Sequence, residues 1–586
     1  MATLPQWFTR TARPRAPVWM PGHPAGPAQG KSWGGLLALV FQGALLIGVS
    51  LFLGVGIGMI GLPFALLTVG LLAGTLLLFV PISWLLLLLL VATYLVTGQL
   101  EYFAHINRAF WIPYLLGLLL FVRIPIDLAG RAFFGQHRHY GPTPGRPRSL
   151  NSISVVLGLF FLVALVASLI DSAPLLQVLV SIKEYLFLWS LFFAVGLGLV
   201  SDVFLRRLWW CLLAYVPAQL PVVLYQRFVV SSRRGDGTSW DAVVGLFGGN
   251  PDGGGASGAM ALFLVIMSLL VISLWRNRLV PLWTVLMLVG TALVCIALAE
   301  VKFAILMIPL GVMLLYRREM LHHPLRTLAA LVLAVSLSGG LLVAYKTQFS
   351  DGKGVGHTTL SEYVTQSFER SSDADFVNPM TGEMSRVAAL KYWWQRHDLN
   401  DPVEFFLGHG IGASRIGLVG GEVARQLSFR IDRSTLAIYL WEIGVLGVLV
   451  VIGLLLLGAW QAGRLACLPD ETHLPPGEGH GIGTFERAVC AAISASLLLL
   501  ILELPYNTDF ANVPQMQLLI ALMLGQVVML AARVPPGVLA RAARQPISRP
   551  PTPFLPVFTP STRSATAWVP SARLARESPA HALHRH

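Results

Sequence analysis

Long apolar runs, interrupted at short intervals by arginine-bearing or Gly/Pro-bearing turns, set the pattern of this chain. An α-helix rises 1.5 Å per residue, so about 20 apolar residues cross the hydrocarbon of a bilayer. On that measure spans are expected near 34–57, 60–79, 82–98, 109–126, 152–172, 184–201, 206–226, 257–275, 279–298, 301–316, 326–345, 434–460, 488–504 and 512–531. The pattern predicts an all-α polytopic membrane protein of about 14 transmembrane helices with one large outer loop. It divides the chain into a leader (1–33), helices 1–11 (34–345), the loop (346–433), helices 12–14 (434–531) and a tail (532–586).

Composition agrees with that division. Hydrophobic residues make up 55% of the 586 and charged residues 12%, half the share of a soluble chain. The formal charge of +13 is uneven: residues 533–586 hold eight arginines and one acid, Glu577. That Pro-, Ala- and Ser-rich tail reads as disordered and cytoplasmic, as does the Pro-rich leader with Arg10, Arg13, Arg15 and Lys31. The leader lacks the order of regions of a cleavable signal peptide. A nucleic-acid surface would need a folded basic face or interleaved aromatics, so no nucleic acid is expected as a partner. The four cysteines lack the short spacings of a zinc site or disulfide framework.

Charge also orients the spans. With the N-terminus inside, the inner turns carry Arg131, Arg138, Arg146, Arg148, Arg206, Arg207, Arg276, Arg278, Arg317, Arg318, Arg464 and Arg487. The short outer turns carry Glu101, Asp171, Glu300, Glu503 and Asp509. This is the positive-inside bias, and an even number of spans returns the tail to the cytoplasm.

Two outer loops hold the candidate chemistry. Residues 227–256 include a Gly-dense run from Gly245 to Gly255 with no phosphate-loop lysine, read either as a re-entry turn or as close backbone approach to a ligand. Residues 346–433 hold ten basic and eleven acidic side chains, the balance of a folded polar domain. Within it Arg386–Arg396 predicts an amphipathic helix, with Tyr392, Trp393 and Trp394 at headgroup level. Lys302, Arg386, Arg415, Arg430 and Arg433 fall on one side of the membrane, where guanidinium forks match phosphate oxygens. Each has a plainer reading as a solvated or salt-bridged group, and Lys302 as the partner of Glu300.

The run Leu407-Gly-His-Gly-Ile-Gly412, followed by Glu442, Gly444 and Gly447, resembles the O-antigen ligase and O-antigen polymerase superfamily. So do Arg386 through Trp393 and Phe247-Gly-Gly-Asn-Pro-Asp252, the likeness covering roughly residues 150–530. Members are multispanning glycosyltransferases that use undecaprenyl-pyrophosphate-linked sugars, and their glycine stretch corresponds to Gly408, Gly410 and Gly412. Where the ligases carry a catalytic histidine, this chain has Arg433 or Asp432. The usual Ser-Arg at the outer end of a middle helix is replaced, with Lys302 as the candidate substitute.

The resemblance implies polymerisation or transfer of undecaprenyl-pyrophosphate-linked repeat units at the periplasmic face of a bacterial inner membrane. The products would be O-antigen, capsule or exopolysaccharide. Lys302, Arg386, Arg415 and Arg430 would hold the pyrophosphate, and Asp432, Arg433, His409 or Glu442 would serve the acceptor hydroxyl, Asp432 first as base. Such a displacement needs no metal or cofactor, and no metal-ligand cluster is evident in the sequence. A chain-length regulator is an expected partner. The alternatives are a lipid-linked-sugar flippase or other transporter, which predicts charged residues inside the spans, and a non-catalytic scaffold of an export complex.

Overall fold

A computed structural model describes residues 62–133, 151–231, 242–249, 256–320, 373–378, 382–397, 399–416, 421–427, 429–468 and 482–534, with six isolated positions between 325 and 340. The leader, the tail, the expected span at 34–57 and most of that at 326–345 lie outside these residues. The chain divides into two compact units. The first, residues 1–85, contributes the helix Leu62–Phe79 and a turn at Pro81, whose carbonyl accepts from the amides of Trp84 and Leu85.

The protein is an all-α polytopic membrane protein. Nine helices among the described residues are long and apolar enough to cross a bilayer: Ile82–Ala104, Asn107–Gly130, Ser152–Ile170, Leu175–Gly196, Asp202–Val230, Ser257–Arg276, Thr435–Leu465, Thr484–Glu503 and Pro514–Ala531. Leu282–Leu298 is a shorter apolar helix, and Lys302–Met320 follows it. Most expected spans match one of these helices. The main shift is at 184–201, where the helix runs Leu175–Gly196 and takes Lys183 and Glu184 into its middle.

The helices of the second unit are sorted by what they face. On Ser152–Ile170 the exposed residues Val155, Leu159, Leu162, Leu165 and Leu169 form a stripe at helical spacing. Ile153, Leu157, Phe160, Ala164 and Ala167 are buried. An exposed stripe of leucines suits lipid tails, so this helix is peripheral. Ser257–Arg276 and Pro514–Ala531 are buried on nearly every side and form the centre.

The loop that precedes Thr435–Leu465 is tied to it by a backbone interlock. Gly444 leaves the helical region (φ 64°, ψ −170°) and breaks the helix into two. The carbonyls just before the break accept from the loop: that of Leu440 from Trp393 Nε1 (3.1 Å), that of Trp441 from the His409 amide (2.9 Å). Gly408 (φ 68°) faces the break so closely that a Cβ there would lie 2.7 Å from the Trp441 carbonyl oxygen. A Cβ on Gly444 would lie 2.3 Å from the Phe406 carbonyl carbon. Each glycine makes room for the other's backbone. The loop turn is also tied to two helix ends, since Ser168 Oγ accepts from the Ile411 amide (3.1 Å) and Gln177 Nε2 donates to the Ile411 carbonyl (3.1 Å).

The described part of the other Gly-dense loop, 242–249, is buried and irregular, a state that requires every backbone group to find a partner. Glutamines on the neighbouring helices provide them. Gln226 accepts from the amides of Val244 (2.9 Å) and Gly245 (2.7 Å) and donates to the Gly245 carbonyl (3.0 Å). Gln219 accepts from Leu246 (2.7 Å), and Gln515 donates to Phe247 (3.0 Å) and Thr93 (3.1 Å). Thr93 and Gln226 lie in π-helical turns, Ala92–Thr97 and Gln226–Val230, which widen the helix where the loop meets it. Asn250, Pro251 and Asp252 lie outside the described residues.

The interlock predicts that Gly444→Ala costs about 2–4 kcal/mol of stability, from a strained positive φ and backbone overlap. Gly453→Ala, on the same helix with nothing within 4 Å of an added Cβ, should cost nothing. Thermal unfolding of the two variants in detergent checks the difference.

Candidate functional site

The site begins with the helix Arg386–Arg396, which forms where its amphipathic pattern predicts. Ser385 caps it, accepting from the Ala388 amide (2.9 Å). Trp393 is buried with Ile431 and Trp441, while Trp394 is exposed. Trp393 clamps this helix to Thr435–Leu465.

Arg415 enters the bundle and gathers charge around it. It pairs with Glu184, and its Nε lies 3.2 Å from Glu442 Oε1. Glu442 is fully buried and also accepts from Tyr185 (2.7 Å) and Ser414 (2.7 Å). Lys183 pairs with Glu184, and its ammonium lies over the rings of Trp111 (5.0 Å) and Tyr114 (5.2 Å). Arg415 also bonds Asn512 through Nη1, while its Nη2 is buried with no hydrogen-bond partner among the described residues. Burial alone would lower the Arg415 pKa, but Glu184 and Glu442 hold it above the ordinary value. Two cations and two carboxylates balance, which lets four charges stay out of water.

Arg386 forms a second cluster. Its guanidinium stands 4.0 Å from the centre of the Tyr506 ring, against which Phe303 also stacks (3.8 Å). Phe303 follows Lys302, so the start of the Lys302–Met320 helix is tied to the Arg386 cluster. Glu300 pairs with Arg227 (2.8 Å), and its carbonyl accepts from the Lys302 amide (3.0 Å). Burial lowers the Arg386 pKa; Arg433 adds to that, while Tyr506, Asp509 and Glu503 oppose it. Asn507 Nδ2 donates to Asp509 (2.7 Å), and burial raises the Asp509 pKa to about 7.

Arg430 and Arg433 both reach Glu383 (3.2 and 3.4 Å), and Arg433 Nε donates to the Met384 carbonyl (3.1 Å). Arg430 is half exposed, as its plainer reading would have it. Asp432 is half-buried; burial raises its pKa, opposed by Arg415, its own backbone amide, Arg433 and Arg430. Thus Asp432 stands in the field of three arginines, and Arg433 lies near enough to Arg386 to repel it.

His409 stacks on Trp441 (5.9 Å between centroids) in the glycine turn beside the interlock. Gly410 packs against Ser168 and Ala173, Gly412 against Ser181 and Gln177, and Gly447 against the Ile443 side chain. No metal-ligand cluster was evident in the sequence, yet the fold brings His397, Glu404 and His409 together. Their separations match no familiar ligand spacing. Lys183, Glu184 and Tyr185 were also missed, and their signal was a Lys-Glu pair inside an apolar run.

No family model and no curated protein sequence matches the chain.

Glu442→Gln should destabilise the protein by about 3–5 kcal/mol, because it strands part of a buried charge set. With Arg415→Gln, a double-mutant cycle in thermal or denaturant unfolding should show coupling of about 1–3 kcal/mol. Asp509 gives a pH test. A carboxylate raised from 3.8 to about 7 holds its proton longer in the folded state than in the unfolded one. Its contribution is therefore fully present below about pH 4 and lost as pH rises through about 7. Asp509→Asn should flatten the fall in melting temperature across that window.

Proposed function

We propose that the protein polymerises or transfers undecaprenyl-pyrophosphate-linked oligosaccharide units at the end of the bundle where the loop docks. The observation that carries this reading is a half-buried carboxylate in the field of three arginines: Asp432 faces the charges of Arg415, Arg433 and Arg430. In a glycosyl displacement the acceptor hydroxyl loses a proton as C1 of the donor sugar bonds to its oxygen. The C1–O bond to pyrophosphate breaks, and the electron pair leaves on the pyrophosphate. Asp432 is the group for the proton, because a carboxylate raised by burial is a stronger base than one in water. Arg386 and Arg433, mutually repulsive, are the counter-charges for the leaving group. They would stabilise the transition state more than the ground state. Arg415 is largely offset by Glu184 and Glu442, so its share is to hold the docked turn in place.

One observation favours the transporter reading. Lys183 and Glu184 sit mid-span and buried, and ionisable groups within a membrane commonly line a pathway.

The test is reconstitution of the full chain in liposomes with the host's undecaprenyl-pyrophosphate units, resolving products by gel and mass spectrometry. A ladder of repeat multiples or a transferred glycan is expected. Asp432→Asn should slow it about 10²–10⁴-fold, Arg386→Ala should abolish it, and Arg430→Ala should leave it within a few-fold. Movement of the lipid-linked unit between leaflets without any new glycosidic bond, lost in Glu184→Gln, would replace this reading with the transporter.

A further inference from the structure

We infer that His397, Glu404 and His409 form a binding site for a zinc-class divalent ion. The inference stands apart from the proposed glycosyl transfer. The three side chains come from different pieces of the loop: the residue that ends the helix Arg386–Arg396, the short helix Pro402–Leu407, and the glycine turn. Their candidate ligand atoms all lie within 4.8 Å of one another. The Nε2 atoms of the two histidines are 3.1 Å apart, and Glu404 Oε2 is 4.0 Å from His409 Nε2. Two nitrogens bound to one tetrahedral zinc ion stand about 3.3 Å apart, so the imidazoles already have ligand spacing. The Glu404 side chain is 45% exposed and has room to rotate inward.

The tautomers make the case stronger than the distances alone. His397 Nδ1 lies 2.9 Å from the Trp393 carbonyl, which can only accept, so Nδ1 carries the hydrogen. Neutral His397 then turns a bare Nε2 lone pair toward His409. On His409, Nδ1 faces the Asp171 carboxylate across 3.7 Å, and a hydrogen drawn there leaves Nε2 bare as well, whereas a hydrogen on Nε2 donates to His397. The 3.1 Å spacing is met either by one N–H···N hydrogen bond between the rings or by a metal ion that takes both lone pairs. Glu404 beside the pair, and an acceptor behind each imidazole, favour the metal. A carbonyl or carboxylate on the far nitrogen is the usual support for a metal-bound histidine. Two imidazoles and one carboxylate suit zinc and leave a fourth position for water or a ligand oxygen. Trp393 and Trp441 hold the rings: His397 stacks on Trp393 (4.9 Å) and meets Trp441 edge to face (4.8 Å). A bound ion would therefore pin three loop segments beside the Gly444 break.

The test uses the full chain in detergent, with His581, His584 and His586 of the tail replaced by alanine in every sample so that they cannot capture metal. After stripping with EDTA and dialysis against micromolar Zn²⁺, the protein should retain close to one ion per chain by mass spectrometry. His397→Ala and His409→Ala should each cut retention at least tenfold, and Asp171→Asn should weaken affinity about 10–100-fold. Co²⁺ loading of the chain with its site intact should give the intense visible bands of a four-coordinate ion, a readout independent of whether the histidine variants fold. Zn²⁺ should raise the melting temperature of that chain and leave that of folded His409→Ala unchanged. Retention below a tenth of an equivalent overturns the site and leaves a hydrogen bond between the two imidazoles. Retention that folded histidine variants keep in full overturns it equally.

Discussion

The loop's position depends on one backbone contact, the mutual fit of Gly408 and Gly444. A helix that crosses a membrane normally satisfies its own amides and carbonyls, and a break inside it exposes groups that hydrocarbon cannot satisfy. Here the break comes where the loop is at hand to bond it. Trp393 Nε1 and the His409 amide take the carbonyls of Leu440 and Trp441, and the second of these bonds forms only if the loop backbone reaches the helix backbone. Side chains at 408 and 444 would prevent that approach. The helix start is managed likewise: the amides of Thr435 and Leu436 donate to the carbonyls of Asn507 (2.7 Å) and Leu504 (2.9 Å). The loop and both ends of this half-helix are thus one hydrogen-bonded body.

The buried charges follow from that contact. Glu442 lies two residues before the break, and Arg415 lies three residues beyond the last glycine of the turn, so the interlock brings them together. Glu184 and Lys183 come from a third element, and the four make a neutral set. Removing any one leaves an uncompensated charge in a low-dielectric setting, which costs more than the pair contributes when intact. Such a set is poor evidence for stability but good evidence for a fixed arrangement. The loop can be docked in one register only.

How much of this was legible in the sequence depended on range. Helices written by local pattern were legible: the 3.6-residue face of Arg386–Arg396, and the apolar run that begins at Thr435. The glycines at 408, 410, 412, 444 and 447 stood out as a motif, but their reason did not, because a backbone approach between residues 36 apart leaves no local trace. The Trp393 clamp was hidden for a related reason: an indole is amphipathic at a membrane surface and equally so against a carbonyl partner. Lys183 and Glu184 were overlooked because a Lys-Glu pair resembles a span boundary; only the third dimension shows Arg415 opposite. The cluster of His397, Glu404 and His409 was hidden by a helix end, a short helix and a turn that fold back on one another.

The same geometry constrains how the loop can take part in any reaction. A lid that opens must break the bonds that hold it, and opening here would part Arg415 from Glu184 and Glu442 and strip the Leu440 and Trp441 carbonyls of their partners. Glu442, left without its cation, would have to take up a proton or admit water, while Glu184 would keep only Lys183. The docked turn, residues 407–415, is therefore a fixed wall. Access must come past the side chains that are half exposed beside it, Asp432, Arg433 and Glu383. The proposed lipid-linked substrate would suit that plan, its lipid beside lipid-facing helices such as Ser152–Ile170 and only its head group at the rigid, charged rim. Rigidity also serves chemistry, because arginine dipoles already oriented need no rearrangement when charge develops on a leaving group.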